Sequence, residues 1–139
     1  MVDQERIDRL LDRIASDLRE LERLAKLGRD LIADRTALAA TKYYFITAIK
    51  GCARVAQHII ADQGWRVADS NADAVRWLGT EGVLTTKLAE SVARAIGFRN
   101  VLVHEYAEID NQRVVADLDR LGDLKDFVAA VAQWSSSTG

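Results

Sequence analysis

The sequence has no proline, one cysteine and two histidines among its 139 residues. A single cysteine excludes a disulfide within the chain, and these counts argue against a zinc site built by one chain, so neither a metal nor a cofactor is expected. No apolar run approaches the roughly 18 residues needed to cross a membrane. The N-terminal residues lack the apolar stretch of a signal peptide, which predicts a cytoplasmic protein without membrane association.

Alanine, leucine, arginine and acidic residues are abundant, and this composition favours helices throughout the chain. A hydrophobic fraction of 49% is sufficient for a packed core. We therefore predict one domain over residues 1–134 and a flexible tail over residues 135–139. The formal net charge is only −2, which neither supports nor excludes nucleic-acid binding, so an RNA contact would require a local basic patch.

The first helix is predicted over residues 4–34, with Asp3 as its N-cap. Its apolar residues recur at alternating steps of four and three and form one stripe: Ile7, Leu11, Ile14, Leu18, Leu21, Ala25 and Ile32. Such a stripe is typical of a helix packed on its own domain, which we prefer, and also of a coiled-coil surface for a partner.

The second helix is predicted over residues 35–62 and should end near Gly64. Its core stripe is Phe45, Ile49, Cys52, Ala56 and Ile59, and a second apolar edge consists of Tyr43, Tyr44, Val55 and Ile60, so burial on two sides is expected. Lys50, Arg54 and His58 recur on it at steps of four and form a basic strip beside the core face. This strip is either a solvated face with an interfacial histidine or an electrostatic lining for a phosphate chain.

Three further helices follow from capping residues and breaks. Ser70 predicts a short helix over residues 72–78, broken by glycines at positions 79 and 82. A helix that starts at Thr85 or Thr86 is expected to end at Gly97. A last helix runs from residue 110 or 111 to residue 134. The expected fold is all-α, an antiparallel helical bundle of four main helices plus a short one.

The segment 97–106, Gly-Phe-Arg-Asn-Val-Leu-Val-His-Glu-Tyr, concentrates polar residues in an otherwise plain helical sequence. Asn100 and His104 are four residues apart and share one helix face. Arg99 lies beside Asn100, and Tyr106 follows at the end of that turn. These residue types in this spacing indicate a small site for phosphate chemistry.

Cleavage of RNA without a metal requires deprotonation of the 2′-hydroxyl and stabilisation of charge on the phosphate. His104 can transfer the proton, an effect worth about 10²–10⁴-fold. Arg99 can present a planar fork to the non-bridging oxygens of the phosphate, and Asn100 can orient His104 or the phosphate. A lone histidine in an apolar run is more often structural, but the neighbouring arginine and amide favour a functional role for His104. For Tyr106, a structural role fits the spacing as well as a chemical one.

The segment has only one histidine, whereas acid–base cleavage is served best by two proton-transfer groups. A two-fold homodimer that brings Arg99 and His104 of both chains into one cleft supplies them. We therefore expect a homodimer.

Residues 99–106 match the Arg-x4-His-x-Tyr signature of the HEPN superfamily, and the chain resembles the HepT-type toxins of MNT–HEPN toxin–antitoxin systems. The resemblance extends to the long first helix, residues 56–60, residues 72–84 and residues 97–100, and so covers most of the chain.

The resemblance implies an all-helical, metal-independent ribonuclease that acts as a homodimer on cellular RNA, tRNA or mRNA. It assigns Arg99 and His104 to the catalytic pair and Asn100 to the polar residue after the arginine. It also implies a nucleotidyltransferase antitoxin that adds AMP units to Tyr106. Negative charge at that tyrosine would compete with RNA phosphate for the cationic site.

Two other classes of function remain open. In the first, the bundle is a non-catalytic module that binds a nucleotidyltransferase or a nucleotide, and the Arg–His–Tyr cluster is a docking or modification site. In the second, it is a coiled-coil scaffold built on the first helix.

Overall fold

The computed structural model describes residues 3–138, and every regular element in that range is helical. This confirms the all-α prediction, with four long helices (α1, α3, α5 and α7) and shorter ones between them. The bounds are α1 Gln4–Ala25, α2 Asp30–Ala33, α3 Arg35–Gln63, α4 Asn71–Thr80, α5 Thr86–His104, α6 Asn111–Asp117 and α7 Leu121–Thr138. No helix within the described residues is long and apolar enough to cross a membrane.

Five of the helices begin at a residue whose side chain accepts a hydrogen bond from a backbone N–H of the first turn. These caps are Asp3, Asp34, Ser70, Thr85 and Asp110. Each such cap is worth about 1 kcal/mol, because it satisfies a donor that has no partner inside the helix. The sequence predicts four of these caps, Asp3, Ser70, Thr85 and Asp110, whereas it places Asp34 inside the first helix.

The central helix of the bundle is α3, which packs against α1, α4 and α5. Its predicted core residues are all at most 2% exposed: Phe45, Ile49, Cys52, Ala56 and Ile59. Of the predicted second apolar edge, Val55 and Ile60 are buried and Tyr44 is partly buried, so α3 is covered on two sides there, whereas Tyr43 is 59% exposed. This position allows one helix to contribute both to the core and to surface sites on either side of it.

The predicted first helix is interrupted, and a single helix over residues 4–34 is wrong. Gly28 adopts a left-handed conformation (φ 55°) between α1 and α2, and Asp34 then caps α3. A left-handed residue cannot continue an α-helix, and glycine adopts that conformation without steric cost. The predicted buried stripe therefore stops before Ile32, which is 39% exposed.

The predicted break at Gly97 is also wrong, because α5 continues through this glycine to His104. Gly97 is exposed, and its φ is not positive. A glycine inside a helix costs about 1 kcal/mol relative to alanine. Burial of Phe98 and Leu102 on the next turn contributes more, about 1.5–3 kcal/mol for each side chain. The motif segment is therefore the C-terminal part of a long helix.

The short helix α4 likewise continues through Gly79, where a break was predicted, to Thr80. A Cβ atom at Gly79 would lie 2.8 Å from the Cβ of Ala89, so this glycine permits the close approach of α4 and α5. The chain turns instead at Gly82, whose φ is 81°.

The predicted last helix is divided in two. Asp110 caps α6, and a turn of 3₁₀-helix at Leu118–Arg120 precedes α7. The helix also does not end near residue 134 but continues to Thr138, since Ser135 is buried and accepts a hydrogen bond from Gln4 Nε2 at 3.0 Å. The predicted tail thus begins as helix, and Gly139 lies outside the described residues.

Candidate functional site

Of the four predicted site residues in the segment 97–106, three lie on the last turns of α5 and the fourth lies in the turn that follows. Arg99 and Asn100 precede His104, the last residue of the helix. Tyr106 lies in the connection to α6, which closes through hydrogen bonds from the N–H groups of Glu108 and Ile109 to the carbonyl of Glu105 at 3.0 and 2.8 Å. The buried Leu102 anchors the end of α5 in the core.

The Arg99 side chain is half-buried and faces α1 and α3. It lines a depression of about 390 Å³ together with Arg6, Lys50, Arg54 and His58. No acidic residue of the described part of the chain lines this depression. Four permanently charged cations from three helices therefore concentrate positive potential in a protein whose net charge is −2.

The guanidinium of Arg99 is only partly satisfied by the chain. Its Nη1 donates to Asn100 Oδ1 at 3.3 Å. Its Nε is buried and has no hydrogen-bond partner among residues 3–138. A guanidinium has five donors arranged as a fork for planar oxyanions, so Arg99 retains capacity for a phosphate.

His104 lies away from the depression. It is exposed and lines neither the depression nor the larger groove described below. Arg99 and His104 are five residues apart, which places them about 140° apart around the helix axis. One chain therefore does not bring these two side chains into one cavity.

Asn100 lines a wider groove of about 1350 Å³ between α4, α5 and the α6–α7 region. The apolar floor of this groove includes Phe98, and the guanidinium of Arg113 lies 5.3 Å from the centre of that ring. Asp117 also lines it, and burial raises the pKa of this carboxyl, although Arg120 and Arg113 act in the opposite direction. Asn100 thus lines a different cavity from Arg99, although its side chain accepts a hydrogen bond from that guanidinium.

The basic strip predicted on α3 faces the same depression as Arg99, so the structure brings Lys50, Arg54 and His58 together with it. His58 differs from the other two, because its side chain is only 15% exposed and its Nε2 lies 3.1 Å from Asp62 Oδ2. That carboxylate also accepts a hydrogen bond from the backbone N–H of Asp3 at 3.0 Å. His58 therefore lies at the junction of α3 with the start of α1, where its Nε2 is close to Asp62 without a hydrogen-bond partner among the described residues.

Tyr106 is 42% exposed and is held against α3. Its hydroxyl lies 3.5 Å from the carbonyl oxygen of Ala39. Lys42 donates from Nζ to the backbone carbonyl of Tyr106 at 2.8 Å, and the same ammonium lies 4.8 Å from the centre of the tyrosine ring. The phenol is therefore accessible while its backbone and ring are fixed.

Sequence reasoning missed Lys42, which is only 6% exposed. A signal was present: positions 42, 45, 49, 52, 56 and 59 form one series with steps of three and four, and every other member is apolar. A lysine at a core position requires a specific partner, because burial of an unpaired charge is costly.

Cys52 offers no alternative nucleophile. It is fully buried in the core on α3, and burial raises the pKa of its thiol to about 12. The thiolate, which is the reactive form, is therefore negligible at neutral pH.

Comparison with known proteins places this arrangement in a family. A family model described as "Ribonuclease HepT-like" matches residues 8–131. The mRNA nuclease HepT of Shewanella oneidensis is 23% identical over 128 residues, which cover 89% of this chain and 96% of that protein. A candidate RNase of Archaeoglobus fulgidus is 29% identical over 79 residues, and this match spans 57% of the chain and only 59% of that protein.

Solved structures share the fold. The tri-AMPylated HEPN toxin of Shewanella oneidensis, solved in complex with its MNT antitoxin, has a TM-score of 0.84 at 22% identity and covers 94% of this chain and 98% of its own. The cytosolic protein YutE of Bacillus subtilis, whose function is unknown, has a TM-score of 0.85 at 19% identity and covers 99% and 93%. At these identities the likeness concerns the fold alone.

Proposed function

We propose that this chain, which belongs to the ribonuclease HepT-like family, is the toxin of a toxin–antitoxin pair and cleaves cellular RNA (tRNA or mRNA) with Arg99 and His104 as its catalytic residues. The observation that carries the proposal is the position of Arg99. Its half-buried guanidinium has an Nε without a hydrogen-bond partner among residues 3–138, and all permanently charged residues that line the depression around it are cationic. Such a site binds the backbone of an RNA and brings a phosphodiester to the motif. RNA as the substrate places the activity in the cytoplasm.

The proposed reaction is an internal transfer that needs no metal ion. A histidine accepts the proton of the 2′-hydroxyl, and the resulting oxygen attacks the adjacent phosphorus. The bond from phosphorus to the 5′-oxygen breaks, and a second proton donor protonates the leaving oxygen, so that a 2′,3′-cyclic phosphate and a 5′-hydroxyl form. Arg99 stabilises the charge on the non-bridging oxygens, and Asn100, which accepts a hydrogen bond from Arg99, orients the guanidinium.

A homodimer supplies the second proton donor. His104 is exposed at the end of α5 and lies about 140° around the helix from Arg99. A two-fold axis can bring Arg99 and His104 of both copies into one cleft, which then holds two histidines. The active site is then composite, with groups from both chains.

The RNA path extends from Arg99 over the basic strip. Lys50 and Arg54 are exposed and line the depression with Arg99, and His58 forms its inner edge. These side chains hold the phosphates that flank the cleaved bond, and they do not read the bases.

Tyr106 is the proposed control point, since its exposed phenol lies two residues after His104. An MNT-type nucleotidyltransferase antitoxin adds AMP units to the hydroxyl, as the tri-AMPylated state of the structural relative from Shewanella oneidensis illustrates for that protein. Each AMP unit adds a phosphodiester with negative charge, which competes with the RNA phosphate for Arg99.

Mixing two inactive variants tests the composite site. Arg99→Ala and His104→Ala proteins are each expected to lose RNA cleavage. After dissociation and random reassociation, half of the dimers contain one chain of each kind, and the shared cleft of these mixed dimers retains one Arg99 and one His104. We expect partial recovery, to less than half of wild-type activity, because only half of the dimers are mixed and each has lost one proton-transfer group.

Arg19→Ala on the exposed face of α1 is the matched control and should cleave RNA normally. Cleavage by the His104→Ala protein alone would contradict the proposed role of this histidine. If neither mixing nor the wild-type dimer gave cleavage, the observations would favour a non-catalytic module that binds a nucleotidyltransferase.

A further inference from the structure

The buried lysine on α3 has no role in the chemistry proposed above, and its charge requires an explanation. Lys42 is 6% exposed, and no carboxylate among residues 3–138 lies within ion-pair distance of its ammonium. A methionine or leucine at this core position would avoid the cost of desolvating the charge. The lysine must therefore gain from what its ammonium contacts.

Both described contacts of the ammonium are with Tyr106, which is 64 residues away in the sequence. One is a charge-assisted hydrogen bond of 2.8 Å to the backbone carbonyl, and the other is a cation–π contact at 4.8 Å from the ring centre. The hydrogen bonds that close the turn after α5 go to the carbonyl of Glu105. Lys42 thus holds a carbonyl that the hydrogen bonds closing the turn do not use.

We propose that Lys42 is the positioning residue for Tyr106: it fixes the turn after α5 on α3 and orients the phenol for nucleotide transfer. This inference rests on the proposed function, because it concerns how the modified hydroxyl is presented. These two contacts hold the backbone and the ring, the hydroxyl lies 3.5 Å from the carbonyl oxygen of Ala39, and the side chain remains 42% exposed. A transferring enzyme then meets a hydroxyl in one orientation and not a mobile side chain.

The same attachment defines the end of α5. Tyr106 follows His104 by two residues, and the N–H of Glu105 still donates to the carbonyl of Val101 at 2.8 Å. Release of Tyr106 from Lys42 would loosen the turn directly after the proposed catalytic histidine. Lys42 therefore acts on both the modified and the catalytic group without contact with RNA.

The test uses three variants of Lys42 and one matched control in the full-length protein. Lys42→Met removes the charge and the donor at similar length, Lys42→Gln keeps a donor without the charge, and Lys42→Arg keeps both. Lys87→Met replaces an exposed lysine in the first turn of α5. Amide hydrogen exchange of residues 105–110 and the rate of Tyr106 acetylation by N-acetylimidazole are measured for each protein.

For Lys42→Met we expect exchange in residues 105–110 to accelerate about tenfold, as loss of a charge-assisted hydrogen bond implies, and acetylation of Tyr106 to rise in parallel. The melting temperature should stay the same or increase, because an apolar side chain replaces a buried charge. Lys42→Arg and Lys87→Met should resemble the wild type, and Lys42→Gln should be intermediate. Unchanged local exchange in Lys42→Met would overturn the proposal, as would a fall in melting temperature with exchange accelerated throughout the chain.

These measurements need neither RNA nor a nucleotidyltransferase, so they decide the role of Lys42 independently of the proposed activity. Co-expression with the nucleotidyltransferase then gives the second readout. AMP addition to Tyr106 in Lys42→Met should be about tenfold slower than in the wild type. Equal rates would overturn the proposed orienting role. If the wild type were not modified at all, the proposed modification would fail, and the exchange data would still decide whether Lys42 positions the turn.

Discussion

The surroundings of Arg99 and His104, at the two ends of the Arg-x4-His segment, differ in how much of a site a single chain forms around each side chain. At the Arg99 end, side chains from α1, α3 and α5 line one depression, and the guanidinium is half-buried among other cations. At the His104 end, the imidazole is exposed on the last residue of α5 and lines neither cavity. Under the proposed function, one chain preforms the half of the site that would bind the anion and leaves open the half that would transfer the proton.

This difference follows from the costs of the two tasks. Cations held close together repel one another, so a cationic depression needs a rigid support, which the packing of α1, α3 and α5 provides. A proton-transfer group needs correct placement only when the substrate and its second partner are present. A chain that leaves His104 exposed can therefore depend on a second copy to complete the site, which also makes activity depend on assembly.

The largest expected effect separates the two histidines. His104→Ala should reduce RNA cleavage by about 10²–10⁴-fold, the usual range for loss of a proton-transfer group. His58→Ala should reduce it by less than about tenfold, because His58 lies beside Asp62 and contributes at the edge of the RNA path. Single-turnover cleavage of a defined RNA measures both.

Thermal unfolding provides the control for this pair. His104 is exposed, so its replacement should leave the melting temperature unchanged, whereas replacement of the 15%-exposed His58 should lower it. A larger loss of cleavage in His58→Ala than in His104→Ala would mean that His58, in the depression, transfers the proton. The proposed division of tasks between the Arg99 and His104 ends would then be wrong.

A smaller effect is expected from the depression itself. The double variant Lys50→Ala with Arg54→Ala should weaken RNA binding and flatten its salt dependence, by about 0.7 in slope for each single-strand phosphate that is no longer neutralised. The rate of cleavage at saturating RNA should change little, since both residues lie on the binding side. Binding titrations at several salt concentrations measure the slope, and Arg19→Ala, outside the depression, should retain the wild-type slope. An unchanged slope in the double variant would mean that RNA follows another path.

The smallest expected effects concern stability and compare two glycines, Gly97 in α5 just before Arg99 and Gly28 between α1 and α2. Gly97→Ala should raise the free energy of unfolding by up to about 1 kcal/mol, because the helix continues through this position and no atom lies within 4 Å of an added Cβ. Gly28→Ala, at φ 55°, should lower it by about 1 kcal/mol, since a Cβ is disfavoured there. Urea denaturation measures both, and stabilisation by Gly28→Ala would contradict the left-handed break after α1.

The two glycines also show how far the sequence predicts the fold. Capping residues such as Ser70 and Thr85 act locally, and the helix starts predicted from them agree with the structure to within one residue. Whether a glycine interrupts a helix depends on the burial of its neighbours. Burial of Phe98 and Leu102 stabilises α5 so that it continues past Gly97. No periodic pattern in the sequence distinguishes that glycine from Gly28.

The sequence by itself determined the helical class, the buried face of α3 and the residue types of the motif, because these depend on periodicity and on spacing along one helix. Only the tertiary structure decided that Arg99 joins the basic strip of α3, that His104 lies apart from it, and that Lys42 holds Tyr106. These contacts join residues 41 to 64 positions apart in the chain. They depend on how the helices pack against one another, which no local pattern encodes.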